Sequence, residues 1–383
     1  MMKIDTIIWG GRIIDPARNI DAVGNIGINN GRIVEVTEDM TAVQNVDAAG
    51  CFVFPGLIDF HVHAYGAGSG WGIRNKELFL ATGVTSVVDQ GSAGCTNYKA
   101  LHESIVNTGL VRVKTFLNVY NGGTLDIDFD EILDSKRFNE KKIERMLQDY
   151  SNEILGLKLR ISKFITKEYG VEPLKAAVAL ARKFDLPICI HVTDPPCTQS
   201  EIADMLDAGD IVCHVFHGRG ETILDENGTI QEAILNARDR GVLFDVAHGN
   251  TNFSFKVIQE AIRENFLPDV LSTDMCDDKL NISTKTKSLA QVMSLYINLG
   301  LEIKDVVRMT TATPAKLMHM EGQIGTLKPG AFADVAVFKL EDRDYLFNDF
   351  EGQQLRGKQI LIPQMTICDG TIAFCQQDFN LQH

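Results

Sequence analysis

Pro55-Gly56-Leu57-Ile58-Asp59-Phe60-His61-Val62-His63 decides how the chain is read. Its apolar run predicts a buried strand. Alternate residues of a strand point the same way, so His61 and His63 share a side at the strand's end. Two imidazoles so placed reach one metal ion, and imidazole suits zinc and its first-row neighbours. The competing reading, two histidines capping a core strand, is weaker, because each ring in an apolar strand needs its own polar partners.

On either side of this stretch the texture differs. Residues 4–14, 25–36 and 45–54 predict short strands, with Asn29-Asn30-Gly31-Arg32 a strong hairpin signal. They form a small β unit without a good core of its own. From residue 55 strand and helix alternate. Strands are expected at 57–63, 84–89, 111–119, 154–159, 186–192, 211–216, 242–246 and 270–274. Helices are expected at about 96–108, 139–153, 171–184, 199–207, 229–239 and 254–264. Short apolar strands of this kind indicate a parallel sheet covered by helices. Eight βα units over about 250 residues predict an α/β fold, a (β/α)8 TIM-type barrel. An open doubly wound sheet is the alternative, and the Gly-x-Gly-x-x-Gly it would want after its first strand is missing. Helices at about 286–299 and 303–319 follow, then strands from 333 to 374. The expected organisation is a barrel over 55–324 and a small β-sandwich made by both termini, 1–54 and 325–383. Residues 376–383 read as a tail.

The 383 residues are 45% hydrophobic and 23% charged, ordinary for a globular protein. A net charge of -14 argues against nucleic acid and anionic membrane as partners. No apolar run approaches the ~20 residues of a spanning helix, and the first residues do not resemble a secretion signal. The eight cysteines show no Cys-x-x-Cys pair and read as reduced thiols, with Cys189 and Cys213 as packing residues. A cytoplasmic homo-oligomer acting on a small molecule is expected.

Functional residues of a barrel sit at the C-terminal ends of its strands. The polar residues that interrupt apolar strand ends are His61 and His63 on the first strand, Lys158 on the fourth, His191 on the fifth, His214 on the sixth and Asp274 on the eighth. Each alone has a bland explanation, but six on five such ends are not coincidence.

With Pro-Gly-Leu-Ile-Asp-x-His-x-His and the closing Gly325-Thr326-Leu327-Lys328-Pro329-Gly330-x-x-Ala333-Asp334, this set resembles the amidohydrolase superfamily over essentially the whole chain. The resemblance implies two divalent metal ions, usually zinc, bridged by a carboxylated Lys158. It gives His61, His63 and Asp274 to one ion and His191 and His214 to the other. A buried lysine has a lowered pKa, which favours the neutral amine that captures carbon dioxide. Two ions lower the pKa of a bridging water, the resulting hydroxide attacks a carbonyl, and Asp274 moves the proton to the leaving group.

Beyond the metals, Tyr120 is a candidate oxyanion donor, Arg160 a candidate carboxylate contact or a rim ion pair, and His248 a candidate substrate contact or packing residue. His217 is expected in a loop as a candidate substrate contact, and Trp71 is a candidate pocket-lining residue. His102 and His319 fall in helices and read as surface or structural residues. Dihydroorotases usually carry an arginine two residues after His-x-His; here Ala64-Tyr65 follows. Mononuclear deaminases dispense with the bridging lysine. Gly-Leu-Lys-Leu-Arg, Ile-His-Val-Thr-Asp-Pro-Pro and Cys-His-Val-Phe-His-Gly look most like the amidohydrolase/deacetylase subgroup, which implies removal of a small acyl group from an amide or ester. Adenine deaminase, a cyclic amide hydrolase of the dihydroorotase or hydantoinase type, and a non-catalytic scaffold relative are the alternatives.

Overall fold

The computed structural model describes residues 3–70, 72–126, 129–276, 288–379 and 381–382. Trp71 lies outside them, as does the start of the helix expected from 286. Leu57–Val62 is buried at every position, as a strand covered on both faces must be. It is β6 in chain order and forms one edge of a seven-stranded parallel sheet. That sheet continues through β7 (Val84–Gly94), β8 (Arg112–Asn118), β9 (Ile154–Arg160), β10 (Ile188–His191), β11 (Ile211–Cys213) and β12 (Leu243–Asp245), each strand beside its predecessor. Helices at Glu140–Asp149, Glu172–Lys183, Gln199–Asp204 and Glu232–Arg240 lie between successive strands from β8 to β12, and Phe255–Arg263 follows β12. The chain has a TIM-type α/β arrangement.

The eighth expected strand is not a regular one. Residues 270–275 make one parallel bridge to each edge of the sheet, Asp245↔Val270 and Val62↔Met275. Side chains supply what the ladder lacks. Asp59 on β6 accepts the Thr273 backbone N–H at 3.0 Å and its hydroxyl at 2.6 Å. Burial lifts the Asp59 pKa to about 7 against those two bonds. Other predicted elements are shorter than expected. The helix expected at 96–108 is one α-turn, Tyr98–Leu101, running into a π-helical turn, His102–Val106. The helix expected at 303–319 breaks at Thr311 into Ile303–Thr310 and Ala312–Leu317.

The two termini share a nine-stranded sheet. Its strands are β1 (Lys3–Asp15), β2 (Ile20–Asn29), β3 (Arg32–Val34), β4 (Thr41–Asp47), β5 (Phe52–Pro55), β13 (Val335–Asn348), β14 (Gln354–Cys368), β15 (Thr371–Cys375) and β16 (Leu381–Gln382). The predicted hairpin is present: Asn30 and Gly31 both have positive φ, 50° and 71°, as a two-residue turn between β2 and β3 requires. β5 joins the two ends of the chain, pairing with β1 and, from Val53↔Val337, with β13. The expected tail is instead strand-forming: Leu381 pairs with Val46, and Phe379 is buried in the core beneath.

β13 and β14 extend as a long hairpin whose tip, residues 349–353, reaches the helices of the parallel sheet. Buried Asp349 accepts the Phe255 N–H at 3.0 Å at the start of a barrel helix, and the Phe350 N–H meets the Phe253 carbonyl at 3.1 Å.

Asp59→Ala strands the Thr273 N–H in the interior. It should lower the unfolding free energy by about 1–3 kcal/mol, measured as a lower urea midpoint without a change in slope.

Candidate active site

His61, His63 and Asp274 come together as the sequence predicted. The ligand-capable atoms of the three lie within 4.8 Å of one another. Asp274 Oδ1 is 3.7 Å from His61 Nε2 and 3.4 Å from His63 Nε2. His191 and His214 form a second pair, ring centres 4.2 Å apart, and His214 is 5.3 Å from His61. A cavity of about 280 Å³ opens over His61, His63, Lys158, His191 and Asp274. Both His214 and Asp274 have left-handed backbones, φ 62° and 52°, so each leaves its strand line to turn toward the others.

The outer nitrogens are held from behind. His214 Nδ1 sits 2.7 Å from the Ala247 carbonyl, which can only accept, so Nδ1 carries the proton and Nε2 keeps its lone pair. His61 Nδ1 lies 3.2 Å from Asp245, and His63 Nδ1 lies 2.9 Å from the Ser92 hydroxyl. Burial, and then the Lys158 charge, push the His61 pKa well below its ordinary value; burial and His214 do the same to His191. Imidazoles braced at Nδ1, with a carboxylate beside Nε2 of His61 and His63, are the donor set of a divalent metal. Glycines give clearance: a Cβ at Gly91 would meet Lys158 Cγ at 2.7 Å, and one at Gly249 would meet Asp274 Oδ2 at 2.8 Å.

Lys158 is fully buried, its Nζ 3.6 Å from Cys189 Sγ and 3.5 Å from Cys213 Sγ, with the two sulfurs 3.0 Å apart. Burial lowers the lysine pKa, but attraction to both sulfurs and to Asp245 outweighs it, and the net direction is up. This is the reverse of the lowering expected from burial alone, because the two sulfurs and Asp245 lie against the amine. His61, Cys213 and Asp245 form a second close group.

Three supporting residues were missed. Asp245, held by the Ser272 hydroxyl at 2.5 Å, has its pKa raised to about 7 by burial. Asp89 accepts the Ala64 and Ser92 N–H groups at 2.7 and 2.8 Å, fixing the segment that carries His63. Asn252 reaches Asp274 Oδ2 at 3.5 Å. Asp245 and Asp89 were visible as carboxylates inside apolar strands; nothing local marks Asn252.

The outer candidates fare differently. Arg160 lines the cavity and is ion-paired with buried Glu131. Tyr120 lines a neighbouring concavity with Asn121 and Phe138. His248 is buried, stacked on Phe253 at 4.2 Å. His217, expected in a substrate-touching loop, is fully buried. Its Nδ1 accepts the Arg219 N–H at 3.3 Å and its Nε2 faces the Gln199 amide at 3.3 Å. His102 is paired with Glu153 at 2.9 Å, and His319 is exposed.

The model of the amidohydrolase family matches residues 52–373, a span that runs from the histidine strand through the C-terminal sheet. The chain belongs to the amidohydrolase family. It is a hydrolytic enzyme. It is 32% identical to a deacetylase of Agrobacterium fabrum over 342 residues, covering 88% of this chain and 83% of the relative. It is 26% identical to a deacetylase of Enterococcus faecalis, over 84% and 87% of the two chains. Among solved structures, a dihydroorotase superposes with a TM-score of 0.86 at 30% identity over 97% and 98% of the two chains. An adenine deaminase does so with 0.87 at 25% identity over 96% and 99%. Among the described residues no helix is long and apolar enough to cross a membrane.

The buried His217 gives a pH test. Burial lowers its pKa from 6.5 to about 4, so the unfolded chain binds its proton first. This contribution should be intact above about pH 6.5, fall away as the pH drops to about 4, and level off below, by about 3 kcal/mol in all. Urea unfolding at pH 7 and 4.5 should show that the loss is smaller in His217→Gln.

Proposed function

We propose that this amidohydrolase removes a small acyl group from an amide or ester with the help of two divalent metal ions. The observation that carries the reading is the convergence of His61, His63 and Asp274 beside His191 and His214 in one cavity. The deacetylase relatives, matched over most of both chains, favour acyl transfer to water over the alternatives. His61, His63 and Asp274 would hold one ion, with His191 and His214 at the other. Two histidines are a sparse set, so Lys158 would complete it as a carbamate, an anion with two oxygens. Zinc suits this mixture of nitrogen and oxygen donors. Bound ions of this type lower the pKa of water and polarise a carbonyl.

The chain's own groups do the rest. Asp274 takes the proton of the attacking water and hands it to the departing nitrogen or oxygen. The Ala247 carbonyl keeps His214 in the tautomer that presents Nε2, and Asp245 and Ser92 orient His61 and His63 through Nδ1. Arg160, Tyr120 and His248 are proposed as groups around the substrate, Arg160 in a fixed pose set by Glu131.

The same proposal covers the architecture. Residues 55–324 would close as a (β/α)8 barrel, supported by the bridges of 270–275 to both edge strands. Residues 1–54 and 325–383 would fold as a sandwich, supported by the separate core of Ile8, Val46, Val53, Val337 and Met365.

Three outcomes are expected. Metal analysis of zinc-supplemented protein should give close to two ions per chain, and Lys158→Ala close to one. Asp274→Asn should retain the fold by circular dichroism and lose about 10²–10⁴-fold in rate. Acetate release from N-acetyl and O-acetyl acids should exceed ammonia release from adenine; adenine turnover without acyl hydrolysis would favour the deaminase reading instead.

A further inference from the structure

Two arginines line the cavity, Arg160 and Arg219. Their surroundings differ. Arg160 is bound to the buried Glu131 carboxylate, and Asp194, an acid on the same cavity, is paired with Lys163 at 3.1 Å. The Arg219 guanidinium forms no ion pair among the described residues. Its central carbon lies 4.0 Å from the centre of the Phe350 ring. Stacking of this kind fixes the plane of the cation and leaves its N–H donors unused.

Both sides of the stack are braced. On the arginine side, His217 Nδ1 accepts the Arg219 backbone N–H at 3.3 Å, and the Gln199 amide donates to the Glu221 carbonyl at 2.9 Å. On the ring side, Phe350 stands on the tip of the β13–β14 hairpin. The tip is pinned by the Phe350 N–H to the Phe253 carbonyl at 3.1 Å and by the Ser254 hydroxyl to Glu351 at 3.0 Å. A planar, unpaired cation is thus held over a cavity whose other acids and bases already have partners or face the candidate metal ligands.

We infer that Arg219 binds the carboxylate of the substrate, with Phe350 as its positioning residue, and that the enzyme prefers acyl derivatives of carboxylic acids to neutral acyl compounds. This rests on the acyl-hydrolase reading above. The contact would be charge-assisted and two-pronged, which lysine cannot reproduce.

The test compares N-acetylalanine with N-acetylalaninamide in the zinc-loaded protein. Arg219→Lys should lower kcat/KM for the acid at least tenfold relative to the amide, with the loss mainly in KM. Phe350→Ala should produce a smaller loss of the same kind, restored by Phe350→Tyr, which keeps the ring. Equal effects on acid and amide, or no effect on either, would overturn the inference. Calorimetry separates it from the parent reading. In an Asp274→Asn background N-acetylalanine should bind at least tenfold more weakly once Arg219 is lysine, whether or not the compound is turned over by the unaltered enzyme. Absence of turnover with this binding difference rejects the acyl-hydrolase reading alone; absence of binding, or equal binding by both variants, rejects the role of Arg219.

Discussion

Everything at the catalytic end of the sheet depends on one carboxylate. Asp59, in the middle of the first barrel strand, holds the backbone and hydroxyl of Thr273 in the segment that joins the two edges. A backbone ladder would have done this without side chains, but a ladder would also have kept Asp274 in a strand conformation. Two isolated bridges, backbone bonds from the His248, Gly249 and His63 N–H groups to Ser272, Thr273 and Met275, and the side-chain latch anchor the segment on both sides of 274, where φ is 52°. A non-glycine residue in that region costs of order 1–3 kcal/mol. That cost is offset by the latch and by contacts of the aspartate with two histidines.

A second constraint is directional. Hydrogen bonding to Nδ1 decides what Nε2 can do, and three different acceptors or donors occupy that position: a carboxylate, a hydroxyl and a carbonyl. They come from β12, from β7 and from the residue pair after β12. The tautomers are therefore a property of the curled sheet as a whole and not of the strands that carry the histidines. Clearance is equally distributed, since Gly91 makes room for a lysine on β9, two strands away.

The alternation of strand and helix was legible because most strands of the parallel sheet carry apolar runs, as burial on both faces favours. His61, His63 and Asp274 were legible by strand-end position and parity. What escaped was whatever depends on another element. The eighth strand looked regular because Val270 and Leu271 are strand-like, while its real anchor sits on β6. The raised pKa of Lys158 follows from Cys189 and Cys213, which look like ordinary core thiols until β9, β10 and β11 lie side by side. His217 resembled a loop ligand by spacing, and only the packing of Gln199 against it reveals a buried neutral ring. The terminal strand Leu381–Gln382 was read as a tail because two residues carry no periodicity.

The hairpin tip at 349–353 also bears on how the protein comes into being. Helix Phe255–Arg263 and the loop at 217–221 leave the ribosome roughly a hundred residues before the segment that covers them. β5, likewise, waits for β13, whose Val337 pairs with Val53 across most of the intervening chain. Until the tip has been made, the Phe255 N–H has no Asp349 carboxylate to accept it. The contacts of Asp349 with Phe255 and of Phe350 with Arg219 are complete only once the hairpin tip has been made.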